Sequence, residues 1–241
     1  MVNLTKYLAS SGIISRRNAA DAVKAGRVAV NGNTVLEPGL PVADNDIVTL
    51  DGNTVKPIAS HRYIMLNKPP GYTSTHSDSH AEKTIFDLIQ DNADKLDFAG
   101  RLDKMSEGML LLSTDGKFIQ RIAHPSFEVL KAYFVKTVPP LNGNAIAKIQ
   151  SGVHDDGDFL KPRMVKTFQD GVIFILNEGK KREIRRLVAA SSQAKITILR
   201  RIATGMLKMD NLKPGQWREL STEELELAAI PNLSPFLNPE D

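Results

Sequence analysis

Gly100-Arg101-Leu102-Asp103-Lys104-Met105-Ser106-Glu107-Gly108-Met109-Leu110-Leu111-Leu112-Ser113-Thr114-Asp115-Gly116 runs a charged, glycine-bounded loop into an apolar core segment. Met109 to Leu112, followed by Ser-Thr-Asp-Gly, predict a short strand buried on both faces. The loop then presents Arg101 and Asp103 at the edge of a rigid element, where catalytic groups are commonly held. An exposed Arg–Asp pair is by itself worth little, so the rest of the chain has to decide what this loop is for.

Outward from that loop, strand and helix patterns alternate without a strict strand–helix rhythm. Tyr63 to Leu66, Leu130 to Val138, Val172 to Leu176 and Lys195 to Ile202 read as strands. Helices are expected after Thr84 and Asp115, over Asn144 to Ser151, from Lys181 to Ala190, and after a Ser221/Glu224 capping box. In the helix from Lys181, Ile184, Leu187 and Val188 share an inward face and fix the direction of Arg185. Asn67-Lys68-Pro69-Pro70-Gly71 forces a non-helical turn directly after an apolar strand. Residues 76–83 look mobile, and Pro231, Pro235 and Pro239 indicate a frayed tail. The pattern predicts an α+β catalytic domain over a mixed or antiparallel sheet flanked by helices.

The 241 residues suffice for one small and one medium domain. Hydrophobic content of 41% and charged content of 24% are ordinary for a globular chain. No run approaches the ~18 apolar residues of a membrane span, and no basic segment followed by an apolar run opens the chain. The absence of cysteine excludes disulfides, thiolate metal sites and cysteine nucleophiles, and fits a reducing cytoplasm. Net charge is only +3, yet it is unevenly spread. Up to residue 36, Lys6, Arg16, Arg17, Lys24 and Arg27 face Asp21 alone. Later, Lys180, Lys181, Arg182, Arg185, Arg186, Lys195, Arg200 and Arg201 face only Glu183. Two basic islands on a nearly neutral chain point to a polyanion touched at two places.

The first island lies in a compact amino-terminal module. Asn3 and Ser15 are placed to cap two short helices, and Gly26 to end the second. Arg16 and Arg17 then crowd the first turn of a helix whose free N–H groups already favour an anion. Val28 to Val30, an Asn31-Gly32 turn, a return through Thr34 and Val35, and Ile47 to Leu50 with Asp51-Gly52 complete it. The ordered set Leu4-Thr5-Lys6-Tyr7-Leu8, Ser11 to Arg17 and Ala25 to Gly32 closely resembles the alpha-L RNA-binding domain of a ribosomal protein and several RNA-modifying enzymes. That resemblance implies RNA-backbone contacts by Lys6, Arg16, Arg17, Lys24 and Arg27. Domain bounds are expected at 1–55 for this module, 56–61 for a linker, 62–229 for the catalytic domain and 230–241 for a flexible tail.

No Walker loop, dinucleotide fingerprint or His-Glu-x-x-His is present. His76 and His80 share helical spacing but sit in a loop pattern, and His154-Asp155-Asp156-Gly157-Asp158 lacks the length of a calcium loop and reads as a solvated turn. What remains are Arg101, Asp103, Tyr133, Arg185 and the turn at Lys68. An aspartate becomes a useful nucleophile or base when a guanidinium keeps it ionised and aimed.

Leu66 to Gly71, Gly100 to Asp103, Gly108 to Gly116, Lys131-Ala132-Tyr133, Glu178 to Arg186 and Pro214 to Leu220 together resemble the RsuA/RluB/RluF-type ribosomal pseudouridine synthases. The resemblance implies that Asp103 is the essential aspartate, Arg185 its salt-bridge partner and Tyr133 the residue that packs on the target base. It also makes Arg101 a candidate to fill the space left by a flipped uridine, with Lys68, Arg182 and Arg186 as further RNA contacts. Implied with these are uridine isomerisation in ribosomal RNA, free or in a pre-ribosomal particle, no cofactor or metal, a monomer and a cytoplasmic site of action. His124-Pro125-Ser126 leans towards members that act on the large subunit, the 23S rRNA of RluB-like enzymes. Met105, and Lys180-Lys181 before Arg182, depart from the usual family residues. A non-catalytic rRNA-binding assembly factor is the rival reading, since it explains both basic islands but not the Gly-Arg-Leu-Asp loop.

Overall fold

The computed structural model describes residues 1–58, 60–76, 83–89, 96–209 and 211–232. Two compact units separate. The first comprises Met1–Arg62, Thr114–Gly116 and the described part of Asn92–Asp97; the second holds the rest.

The chain begins with β1 (Val2–Asn3), α1 (Leu4–Ala9), α2 (Arg16–Lys24), β2 (Val28–Val30), β3 (Asn33–Thr34), β4 (Pro41–Val42), β5 (Val48–Leu50) and β6 (Asn53–Val55). Helix starts are set by side chains: Asn3 accepts from the Thr5 N–H at 3.0 Å and Ser15 from the Asn18 N–H at 3.1 Å. Each such cap is worth about 1 kcal/mol. Leu4, Leu8, Ala19, Ala22 and Val23 of the helices close over Val28, Val30, Val48 and Val55 of the small sheet. That sheet has the order β3-β2-β5-β6, with Asn31 (φ 52°) and Gly32 (φ 80°) making the left-handed turn a tight hairpin needs. Residues expected as a linker belong to this unit, where the Ile58 N–H donates to the Ser10 carbonyl at 2.9 Å.

The chain continues through β7 (Tyr63–Lys68), β8 (Asp97–Phe98), β9 (Glu107–Ser113), α3 (Gly116–Ala123), β10 (Lys131–Val138), α4 (Gly143–Ser151), β11 (Val153–Asp155) and β12 (Asp158–Leu160). Then follow β13 (Met164–Phe168), β14 (Gly171–Leu176), α5 (Glu183–Ser191), β15 (Lys195–Thr204), β16 (Leu207–Lys208), β17 (Trp217–Glu219) and α6 (Thr222–Ala228). The main sheet runs β13-β14-β10-β15-β9-β7-β17, and β15–β9 is the parallel pair among antiparallel ones. It is a mixed sheet in an α+β chain. β9 lies within it, and its apolar run is buried from Gly108 to Ser113. Met65, Met109 and Leu111 form one core with Phe118, Ile122 and Ala228 from α3 and α6.

Two local outcomes differ from the sequence pattern, and the turn read at His154 to Asp158 gains flanking strands. The helix expected after Thr84 is a single tight turn, Ile85–Leu88, started by an Asp87 carboxylate on the Thr84 N–H at 2.7 Å. The segment His154 to Asp158 closes a hairpin, β11–β12, with Asp156 (φ 45°) and Gly157 (φ 77°) at its turn. α5 starts at Glu183 rather than Lys181, because Arg182 takes a left-handed conformation (φ 54°). The segment called mobile and the proline-rich tail lie mostly outside the described residues.

Candidate active site

A single row of paired residues crosses the sheet: Lys68 on β7, Gly108 on β9, Arg201 on β15, Tyr133 on β10 and Phe174 on β14. Directly paired residues share a face, so this row sets which side chains meet there. Gly108 makes the row possible. Its φ is +100°, and a Cβ would overlap the Arg201 carbonyl oxygen and come within 2.8 Å of the Arg201 nitrogen. The loop before β9 is thereby brought hard against β15.

Backbone bonds hold that loop. The Lys68 side chain is fully buried, and its Nζ donates to the carbonyls of Pro69 (3.1 Å), Asp103 (3.2 Å), Lys104 (3.3 Å) and Ser106 (2.7 Å). Burial pushes this ammonium down to about 8, against the opposing pull of Asp103 and Glu107. The Gly71 N–H donates to the Lys104 carbonyl at 2.7 Å. Ser74 Oγ donates to the Leu102 carbonyl at 3.0 Å and accepts from the Leu102 N–H at 3.3 Å. On the far side, Arg200 Nη2 lies 2.6 Å from Glu107 Oε1. The loop is rigid because its main chain is bonded at nearly every residue.

Asp103 projects from this frame into a cavity of about 680 Å³, within the usual size of a ligand site. Arg185 Nε on α5 lies 3.6 Å from Asp103 Oδ2, and Arg185 Nη2 donates to Ser106 Oγ at 3.3 Å. Ile184, Leu187 and Val188 are buried, which aims Arg185 at the cavity. At 3.6 Å the contact is an ion pair rather than a hydrogen bond. No donor among the described residues bonds the Asp103 carboxylate. It is kept near a cation with its lone pairs unengaged, which suits a nucleophile or a base.

Tyr133, buried to 7% exposure, lines the same cavity. The Arg201 guanidinium donates from Nε to the Tyr133 hydroxyl at 3.1 Å and from Nη2 to the Arg101 carbonyl at 2.9 Å. Arg101 itself is exposed at the cavity rim, as are Lys181 and Arg182. Apart from Asp103, Glu183 is the acid of the described lining. Its buried carboxyl accepts the Lys180 N–H at 3.0 Å, and burial pushes it up to about 7. Lys131 is also buried, donating to the carbonyls of Ile122 and Val129 at 3.0 Å each, and is pushed down to about 8. The cavity is strongly cationic around one available carboxylate.

Two expected RNA contacts are corrected. Lys68 has no exposed surface; its charge serves four carbonyls inside the domain. Arg186 is claimed by the β11–β12 hairpin, with Nε 2.5 Å from Asp155 Oδ2 and Nη1 2.8 Å from Asp158 Oδ2. Lys6, Arg16, Arg17, Lys24 and Arg27 are all exposed on the first unit, although Arg27 forms a bidentate pair with Asp51. Met105 is 63% exposed, so its departure from the usual residue makes no packing demand. Sequence reasoning missed Ser74, Ser106, Lys131 and Arg201 as parts of the site. An arginine inside a strand pattern, at Arg201, was the available signal.

Comparison with known proteins agrees with this architecture. A model described as RNA pseudouridylate synthase matches residues 62–190, and one for the S4 domain matches residues 2–57. The two together define an RNA-modifying enzyme that carries its own RNA-binding module. An uncharacterised RNA pseudouridine synthase of Aquifex aeolicus is 36% identical, over 93% of this chain and 92% of that protein. Ribosomal large subunit pseudouridine synthase B of Bacillus subtilis is 31% identical, over 94% and 95% respectively. Ribosomal small subunit pseudouridine synthase A of Yersinia pestis is 29% identical, over 96% and 100%. A crystal structure of a pseudouridylate synthase aligns with a TM-score of 0.69 at 28% identity, covering 95% of this chain and 100% of that one. The chain belongs to the RNA pseudouridylate synthase family.

Proposed function

We propose that this protein isomerises a specific uridine of ribosomal RNA to pseudouridine, with Asp103 as the reacting group. The observation that carries the reading is the Asp103 carboxylate. It stands in a cationic cavity, paired at 3.6 Å with Arg185, unbonded by any described donor, and shares that cavity with Tyr133. The target leaves its stack and enters the cavity, at a cost of a few kcal/mol that stacking on an aromatic neighbour offsets. The bond from N1 of uracil to the ribose C1′ breaks, the base rotates, and C5 bonds to C1′. C5 gives up its proton and N1 gains one, so the reaction is redox-neutral. Asp103 acts either as nucleophile or as base at the sugar, with the Arg185 guanidinium beside it in both routes. Arg101 at the rim fills the space the flipped uridine leaves, while Arg182 and the exposed cations of the S4 unit hold phosphates.

Within ribosomal RNA we favour the large subunit, on His124-Pro125-Ser126, where His124 and Pro125 start a tight turn beside the cavity. Such a substrate puts the protein in the cytoplasm, acting as a monomer on free RNA or a pre-ribosomal particle. The test is tritium release from rRNA labelled at carbon five of uracil, followed by mapping of pseudouridine in both large- and small-subunit rRNA. Wild-type protein should release tritium at one position and Asp103→Asn none, while still binding RNA. Ordinary turnover by Asp103→Asn would sink the mechanism.

A further inference from the structure

We propose that Arg201 is a positioning residue that sets Tyr133 and the Asp103 loop in register with each other. The inference rests on the proposed function for its catalytic consequence, but its structural part stands alone. Arg201 is 3% exposed, so no bulk water competes for its donors. Its Nε–H reaches the Tyr133 hydroxyl at 3.1 Å, and its Nη2–H reaches the Arg101 carbonyl at 2.9 Å, two residues before Asp103. The guanidinium carbon is 5.3 Å from the centroid of the Tyr133 ring. One planar group therefore fixes the polar end of the ring and the first residue of Arg101-Leu102-Asp103.

The base of the arginine is fixed as well. Arg201 pairs with Gly108 across the parallel β9–β15 contact and with Tyr133 across β10–β15. The space that Gly108 leaves open is filled by Arg201 backbone atoms. A guanidinium presents its donors in a rigid fork, whereas a lysine offers a mobile point charge. Lysine can replace the buried charge without fixing both acceptors at once. If Tyr133 stacks on the target base, the Arg201 bridge determines where that base stands relative to Asp103. A misplacement near 1 Å lowers turnover by about a hundredfold.

The experiment uses the full chain and two readouts. First, without RNA, hydrogen exchange is measured residue by residue. Arg201→Lys is expected to melt close to wild type yet exchange the Leu102 and Ser106 amides at least tenfold faster. Second, with an rRNA fragment that the wild type modifies, Arg201→Lys is expected to lose about a hundredfold in kcat with KM within about threefold. Arg201→Met combined with Tyr133→Phe should be no slower than Arg201→Met alone, since both changes break the same link. Unchanged loop exchange in Arg201→Lys, wild-type kcat, or losses that multiply in the double variant each overturn the proposal. Wild-type protein that makes no pseudouridine instead overturns the proposed function, and the exchange measurement still decides the role of Arg201.

Discussion

Arg185 touches both halves of the Asp103 loop, with Nε 3.6 Å from Asp103 Oδ2 and Nη2 3.3 Å from Ser106 Oγ. The guanidinium is thus tied to the loop by a hydroxyl, and among the described residues no donor bonds the carboxylate. Arg185→Met is expected to lower the single-turnover rate by roughly 100-fold or more, the usual scale for losing one fixed electrostatic partner. RNA affinity should change far less. The two are separated by measuring binding and single-turnover isomerisation on the same RNA, and an Arg185→Met protein as fast as wild type would remove the ion pair from the mechanism.

Lys68 gives opposite pH responses for rate and for stability. Burial holds its ammonium at about 8 in the folded state, against an ordinary value of 10.5. A depressed folded value means that the linked stability is present above 10.5 and lost as pH falls through about 8. Melting temperature should therefore gain from this group as pH rises across that window, and buried Lys131 adds to the same trend. The single-turnover rate should fall over the same range, because the loop carbonyls lose their charged donor. A rate that stays level from pH 7 to 10 would show that the loop does not need the charge.

Gly108→Ala should destabilise the second unit by about 3 kcal/mol or more, combining left-handed strain with overlap on backbone that cannot move aside. Gly116 is the matched control, since a Cβ there meets nothing within 4 Å. Gly116→Ala, at the start of α3, should be neutral or slightly stabilising. Urea unfolding of the two variants side by side checks both expectations.

Glu183→Gln keeps an acceptor for the Lys180 N–H and removes a buried charge. The Glu183 carboxyl is raised from 4.5 to about 7, so its contribution is complete below 4.5 and is lost as pH climbs through 7. The variant should match wild type near pH 5 and be more stable by up to roughly 2 kcal/mol at pH 8. Thermal melts at the two pH values read the difference, and equal shifts at both would place the burial penalty elsewhere.

In the first unit, Arg16 and Arg17 are exposed at the start of α2. Replacing either by alanine should reduce the slope of log affinity against log salt by about one, the signature of a lost phosphate contact. Arg186→Ala should act on stability instead, because it leaves Asp155 and Asp158 facing each other without their cation. Salt titrations and melts of the same variants distinguish the two kinds of arginine.

The positions of Asp103 and Arg185 were legible in the sequence, their pairing was implied by the family resemblance, and their support was not legible. Asp103 sits in a glycine-bounded loop before an apolar run, and Arg185 follows a residue of a clear helical stripe, so local pattern locates both. Lys68 was misjudged because sequence reports a charge but not its depth. Its four acceptors are main-chain carbonyls, which carry no residue signature. Arg201 was hidden for a related reason: it reads as one more cation in a basic island, and only the β9–β15 and β10–β15 registers together bring it to Arg101 and Tyr133. Arg186 was assigned to RNA because its partners belong to a hairpin whose short strands leave almost no pattern. A mixed or antiparallel sheet was expected; which of the two forms, and in what order, depends on non-local pairing that no single segment encodes.

The way the catalytic loop is held carries a consequence for how this enzyme can change. Lys68, Gly71 and Ser74 grip carbonyl and amide groups that every amino acid supplies, not the side chains of residues 102–106. The anchors are therefore indifferent to the exposed residues of the loop, provided buried Leu102 and Ser106, Gly108 and the Asp103 carboxylate remain. Lys104 and Met105 are exposed there, and none of these anchors touches their side chains, so both can change while the Asp103 carboxylate stays in place. A scaffold that clasps the main chain leaves the exposed side chains of the loop free to change without moving Asp103.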